Sequence, residues 1–200
     1  ARGLDQRVLG IAPIAADQTF RLSVPDEPVL VEAWAYGQGG SGPQTVTPPL
    51  TDLTLTLPAP ATLEVTVRDQ DNNLIPAQLT VWREAGTASP FAPPDVRIGP
   101  DPGSNRSALA YIIEDKTPVR LPAGRYRAVA SRGYSYELHE VTLDLEPGEV
   151  LPLDLTLSRA VDTTGWLAAD MHLHGRWSSD SDVPYHARVR QAAANDVALP

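Results

Sequence analysis

The sequence predicts a mainly β protein: β-sandwich modules, followed by the opening strand, loop and helix of an α/β unit. Three observations predict it. Up to about residue 160, apolar and polar residues alternate at period two in short runs, as half-buried strands require. Twenty prolines in 200 residues, double the average usage of about 5%, favour short strands and turns over long helices. After Arg159 the pattern changes to a polar hinge, an apolar run and a stretch rich in Ala and Arg.

Residues 1–57 read as a partial or accessory β module. Strands are expected at 20–24 (FRLSV), 29–36 (VLVEAWAY) and 53–57 (LTLTL), with the flexible string GQGGSGPQ at 37–44. So few strands rarely make a stable sandwich alone. Residues 58–160 read as the sandwich proper, with strands at 61–68, 77–83, 108–113, 117–121, 124–131, 136–145 and 150–157. Seven short strands in about one hundred residues is the count such a fold needs. In 61–68, Leu63, Val65 and Val67 share one face, while Thr62, Glu64 and Thr66 share the other. The string DQDNN that follows is a turn, because Asp and Asn bond their own main chain and tolerate left-handed backbone. LPAG at 121–124 and EPGE at 146–149 carry the Pro and Gly of tight turns. The connector at 84–107 is out of scale and rich in Pro and Gly. A loop packed over a neighbour and a floppy insert are both open for it.

Residues 161–200 begin a different unit. A buried strand is expected at 167–174, a polar loop at 175–182, a helix at 184–195 and a further strand from Val197. Pro184 suits the first turn of a helix. Tyr185, Val189 and Ala192 fall on one face at helical spacing. Strand, helix, strand is how an α/β barrel or doubly wound sheet starts.

The formal net charge of −9 argues against a nucleic-acid partner, since like charges repel. No apolar run is long enough for a helix to span a membrane. Cys is absent, which removes disulfides and thiolate metal sites together. The first residues lack the charged, apolar, small-residue order of a signal peptide. Tandem β modules nonetheless fit a secreted or periplasmic setting.

The residues that carry chemistry lie at 170–180. In a strand, alternate residues point to one side, so Asp170, His172 and His174 share a face. Two imidazoles aimed at one point can ligate one divalent cation through neutral nitrogens. Asp170 can accept a ring N–H and fix a tautomer, or reach the metal itself. Asp180, in the loop after His174, can fold back as a hard oxygen donor. Nitrogen and oxygen donors without sulfur suit zinc, manganese or iron.

The string GWLAADMHLHGRWSSDSD resembles the N-terminal motif of the polymerase-and-histidinol-phosphatase (PHP) metallohydrolases, closest to their CehA/McbA-like branch. There the pattern runs approximately G-W-x-x-x-D-x-H-x-H-S-x-x-S-x-D. The resemblance implies His172, His174 and Asp180 as metal ligands, with Asp170 and Ser178 as supporting residues. Gly175 stands where Ser is usual, which puts one loop hydrogen bond in doubt. The stretch LPAGRYRAVASRGYSYELHEVTLDLEPGE is similar to the β-sandwich, of carboxypeptidase regulatory type, that precedes the hydrolase domain in that branch.

The resemblance implies an enzyme whose remaining His, Glu and Asp ligands come from later strands of an α/β barrel. The 200 residues are therefore expected to carry one corner of the site, no catalytic residue of their own and no turnover. In the whole enzyme a divalent metal would act on a small-molecule phosphoester, ester, amide or carbamate. His139 and His186 are expected at the surface, outside this corner. The alternative is a non-catalytic sandwich that binds carbohydrate or protein through Trp34, Tyr36, Trp82, Tyr134 and Tyr136. For those aromatics, core and interdomain packing competes with binding.

Overall fold

A computed structural model describes residues 1–90 and 105–198. The chain is mainly β, with one helix among the described residues. Residues 1–57 contribute only short strands. β1 (Arg2–Gly3) and β2 (Val29–Val31) pair in a small sheet with β5 (Gln44–Val46), while β3 (Trp34–Ala35) pairs with β4 (Gly39–Gly40). The expected strand at 29–36 is thus broken in two at Glu32 and Ala33. The stretches 20–24 and 53–57 form no strand. Their burial still alternates: Phe20, Leu22 and Val24 are half-buried, as are Leu53, Leu55 and Leu57, and the residues between them are exposed. Alternation chooses a face, but a strand also needs a hydrogen-bonding neighbour, and none is in register here.

From residue 61 two sheets form around one core. The first has the order β12 (Val150–Leu157), β6 (Ala61–Asp69), β9 (Thr117–Leu121), with β12 parallel and β9 antiparallel to β6. The second is antiparallel, in the order β11 (His139–Leu145), β10 (Gly124–Ser131), β7 (Ala77–Arg83), β8 (Arg106–Ile112). Leu63, Val65 and Val67 of β6 meet Leu79, Val81, Tyr126, Ala128, Leu143 and Leu145 of the second sheet in a single cluster. Placement of proline follows from hydrogen bonding. Pro118 and Pro152 have no N–H to give, and both lie on the edge strands β9 and β12. The bulge between Val81 and Trp82 lies where β7 meets the start of β8.

The turns use the chemistry that the sequence offered. Asp69 Oδ1 accepts the N–H groups of Asp71 and Asn73 and the amide of Asn73. Asn72 takes the left-handed conformation, with φ 66°. These contacts, the Asn73 side chain foremost, hold the Asp69 carboxyl below its usual range. Tyr126 is fully buried and its hydroxyl donates to Pro122 O at 2.8 Å. Burial pushes its phenol up to about 12. Of the long connector, residues 91–104 lie outside the described residues.

The expected strand at 167–174 does not form. Only an isolated bridge at Ala169 marks this stretch, and Ala198 N–H donates to Ala168 O at 2.9 Å, from the segment expected as the next strand. Residues 199 and 200 of that segment lie outside the described residues. The expected helix does form, as α1 (Tyr185–Ala194), with Pro184 and Asn195 as its flanking caps. Ala192 and Ala194 are its buried residues, while Tyr185 and Val189 stay exposed.

Candidate metal-binding turn

The chain from Asp170 to Asp180 is extended, then turns back on itself. Asp170 Oδ1 accepts the backbone N–H of His172 at 3.0 Å, so it shapes the approach to the histidines through the main chain. Extended backbone puts the two imidazoles on one side. Their centroids stand 4.7 Å apart, the planes inclined by 27°. The two Nε2 atoms face each other at 2.7 Å.

Asp180 comes back over the turn, onto the far side of His174. Its Oδ1 lies 2.7 Å from His174 Nδ1. A carboxylate only accepts, so Nδ1 carries a proton, and a neutral His174 then presents its Nε2 lone pair to His172. The sequence placed Asp180 beside the two histidines as a direct donor. The structure brings all three together but sets the carboxylate on the ring nitrogen remote from the pair, the position of a residue that orients a ligating imidazole.

Backbone contacts define the turn. Ser178 N–H donates to Gly175 O at 2.7 Å, and Ser181 N–H to Ser178 O at 3.3 Å. Arg188 Nε donates to His174 O at 2.7 Å, which ties the turn to α1. Gly175 is buried against Tyr185, and a Cβ there would lie 2.8 Å from Tyr185 Cε1. A side chain at this place would require the exposed Tyr185 ring to shift.

The donors suit a borderline divalent cation, though they are few. Two imidazoles bound to one zinc at about 2.0–2.1 Å in a tetrahedron stand roughly 3.3 Å apart. The rings, His172 exposed and His174 half-buried, need to part by less than an ångström to reach that spacing. Among the described residues, no group of three or more His, Asp or Glu side chains is placed to hold a metal ion. His139 is on the sheet, its Nδ1 2.9 Å from Thr156 O, and His186 is exposed on α1. Both lie outside the pair.

Of the five aromatics considered for ligand binding, Trp34 lies on β3 with Tyr36 just after it, Trp82 lies on β7, and Tyr134 and Tyr136 share the connection between β10 and β11. The Arg127 guanidinium covers the Trp82 ring at 4.8 Å, and Arg159 covers Tyr136 at 4.5 Å. Tyr36 and Tyr134 are exposed. Trp34 lines an open cleft of about 630 Å³ in the first 57 residues, together with Ile11, Ile14, Phe20, Leu22 and Leu30. This cleft was missed in the sequence; its only signal is the half-buried alternation of Phe20 and Leu22.

No family model matches this chain, and no curated protein does. Solved structures that match include the Bacillus anthracis TIE protein, with 16% identity, a TM-score of 0.39 and coverage of 76% of this chain and 27% of that one. Phospholipase PlaB from Legionella pneumophila matches with 12% identity and a TM-score of 0.31, over 76% of this chain and 33% of that one. The chain spans about a third or less of the length of these proteins. At such TM-scores the likeness carries no argument about function.

Proposed function

We propose that this chain is the N-terminal part of a PHP-type metal-dependent hydrolase, in which a β-sandwich precedes the start of an α/β barrel. The observation that carries the reading is the His172–His174 pair, Nε2 facing Nε2, with Asp180 fixing the tautomer of His174 from behind. The two sheets around one core support the sandwich part, and the bond between Ala198 and Ala168 supports a strand–helix–strand start.

In this reading His172 and His174 hold a zinc, manganese or iron ion through Nε2, and Asp180 orients His174. Asp170 and Ser178 shape the turn. A divalent metal, when bound, supplies a Lewis acid and an activated water for hydrolysis of a phosphoester, ester, amide or carbamate. The chain's own share is narrower: it presents two imidazoles, of which Asp180 sets the tautomer of His174 alone, and His172 Nε2, the donor to His174 Nε2 in the free chain, would give up that proton on ligation. Two donors capture a metal weakly and leave the site open, so this chain binds metal without turnover.

Titration of the chain with cobalt(II), followed by visible absorption and calorimetry, tests this reading. One weak site is expected, lost in both His172→Ala and His174→Ala and kept in His186→Ala. Absence of binding in the unsubstituted chain, or binding that survives both substitutions, contradicts it. Phosphodiesterase turnover by the 200-residue chain overturns the inactive part.

A further inference from the structure

The end of α1 is unusual in one residue. The helix closes with Val197 N–H on Ala192 O at 3.0 Å and Asp196 N–H on Ala193 O at 3.4 Å. In this closure the residue after the cap adopts a left-handed conformation and is usually glycine. Here it is Asp196, with φ 60°, a conformation that an L side chain takes at a cost.

The Asp196 carboxylate has a compensating partner. Its Oδ1 lies 2.7 Å from Arg132 Nη2, and its Oδ2 3.9 Å from Arg159 Nη1. Arg132 sits in the connection between β10 and β11, with its side chain only 14% exposed. Its Nη1 donates to Ala193 O at 2.7 Å and also to Pro76 O, just before β7. One guanidinium therefore joins the second sheet to a carbonyl and a carboxylate at the helix end. The fit is close: a Cβ at Gly133 would run into the carbonyl oxygen of Asn195. Arg159 steadies the same corner, donating to Tyr136 Oη and Thr163 Oγ1, each at 2.7 Å.

At its other end α1 holds the histidine turn. Arg188 Nε binds His174 O, its Nη1 donates to Gln191 Oε1 at 2.7 Å, and Tyr185 closes over Gly175. The helix is thus a strut between the two-sheet unit and the metal-binding turn. We propose that Arg132 is a positioning residue, through which the two-sheet unit fixes the His172–His174 turn by gripping the C-terminal end of α1. The proposal rests on the metal reading above and extends it to a residue 40 positions before His172.

The test compares the 200-residue chain with its Arg132→Ala, Arg132→Lys and Asp196→Gly variants. Cobalt(II) affinity, amide exchange over residues 186–198 and the urea midpoint are measured for each. Arg132→Ala is expected to speed exchange at the helix end and to weaken cobalt binding about tenfold, the low end of what supporting residues of metal ligands contribute. Arg132→Lys restores part of it, since an ammonium keeps the charge but cannot fork to three acceptors. Asp196→Gly separates the ideas most sharply. It relieves the left-handed strain, so if the helix cap alone mattered it would bind as well as the unsubstituted chain or better. The proposal expects weaker binding, and equal or tighter binding overturns it. Should Arg132→Ala fail to fold, Asp196→Gly and Arg132→Lys carry the test. An unsubstituted chain that captures no cobalt takes down the metal reading and this proposal together. Binding that is unchanged in Arg132→Ala overturns this proposal alone.

Discussion

Between residues 61 and 157, alternate side chains of seven strands end in one core, and Leu63, Val65, Leu79 and Tyr126 are fully buried there. Between residues 166 and 182 the large side chains go the other way: Trp166, Met171 and Trp177 are 80–92% exposed. The first region is held by burial, which is non-directional and sums over many residues. The second is held by a few directed polar contacts from Asp170, Asp180 and Arg188. Stability and chemistry are therefore separated along the chain. A turn without a core of its own must borrow its geometry, and α1 with the Arg132 contact is the route by which it does so.

The largest effect that sharpens this contrast is in the core. Leu63→Ala, at a fully buried position in the central strand β6, should lower unfolding free energy by about 2–5 kcal/mol, read as a fall in the urea midpoint. A loss under about 1 kcal/mol would mean that the two sheets are not closed around one core.

Asp180→Asn comes next and acts on the other region. Replacing the carboxylate behind His174 should weaken cobalt(II) binding by about 10–100-fold while moving stability by no more than about 0.5 kcal/mol. Full loss of binding would make Asp180 a direct ligand instead of an orienting one, a result that calorimetry separates from a graded loss.

How much of this was legible in the sequence follows from the same contrast. Strands at 77–83, 117–121, 124–131 and 150–157 have the extents expected of them, because period-two burial and hydrogen-bonded neighbours act together there. At 20–24 and 53–57 alternation was present and no ladder followed, and at 167–174 an apolar run expected to be a buried strand is mostly exposed, with a bridge at Ala169 alone. The meeting of His172, His174 and Asp180 was readable from spacing. Which ring nitrogen Asp180 takes was not, since that depends on how the turn folds back. Arg132 and Asp196 are 64 residues apart and belong to no periodic pattern, so sequence alone gave no sign of their pairing.

A smaller effect belongs to the core again. Tyr126→Phe removes the bond to Pro122 O and should cost about 1 kcal/mol. The phenol titrates near 10.0 when free and is raised to about 12 by burial in the fold. The unfolded chain therefore loses its proton first, so stability from this group is whole below about 10 and is lost as pH rises to about 12. Urea midpoints across that range should fall for the unsubstituted chain, with a shallower fall for Tyr126→Phe. Identical slopes would show that the phenol is not shielded.

The smallest expected change is the stability of His172→Ala. An exposed residue without a share in the core should move the urea midpoint by no more than about 0.5 kcal/mol. A drop comparable to that of Leu63→Ala would erase the distinction between the two regions.

The most direct test of the account is nitrogen-15 NMR of the imidazole rings, with and without zinc, assigned by substitution of the four histidines one at a time. A proton on His174 Nδ1 is expected in the free chain and, with zinc, displaced Nε2 resonances for both His172 and His174 while His139 and His186 stay in place. Zinc on Nδ1 of His174, or four unmoved histidines, would contradict it.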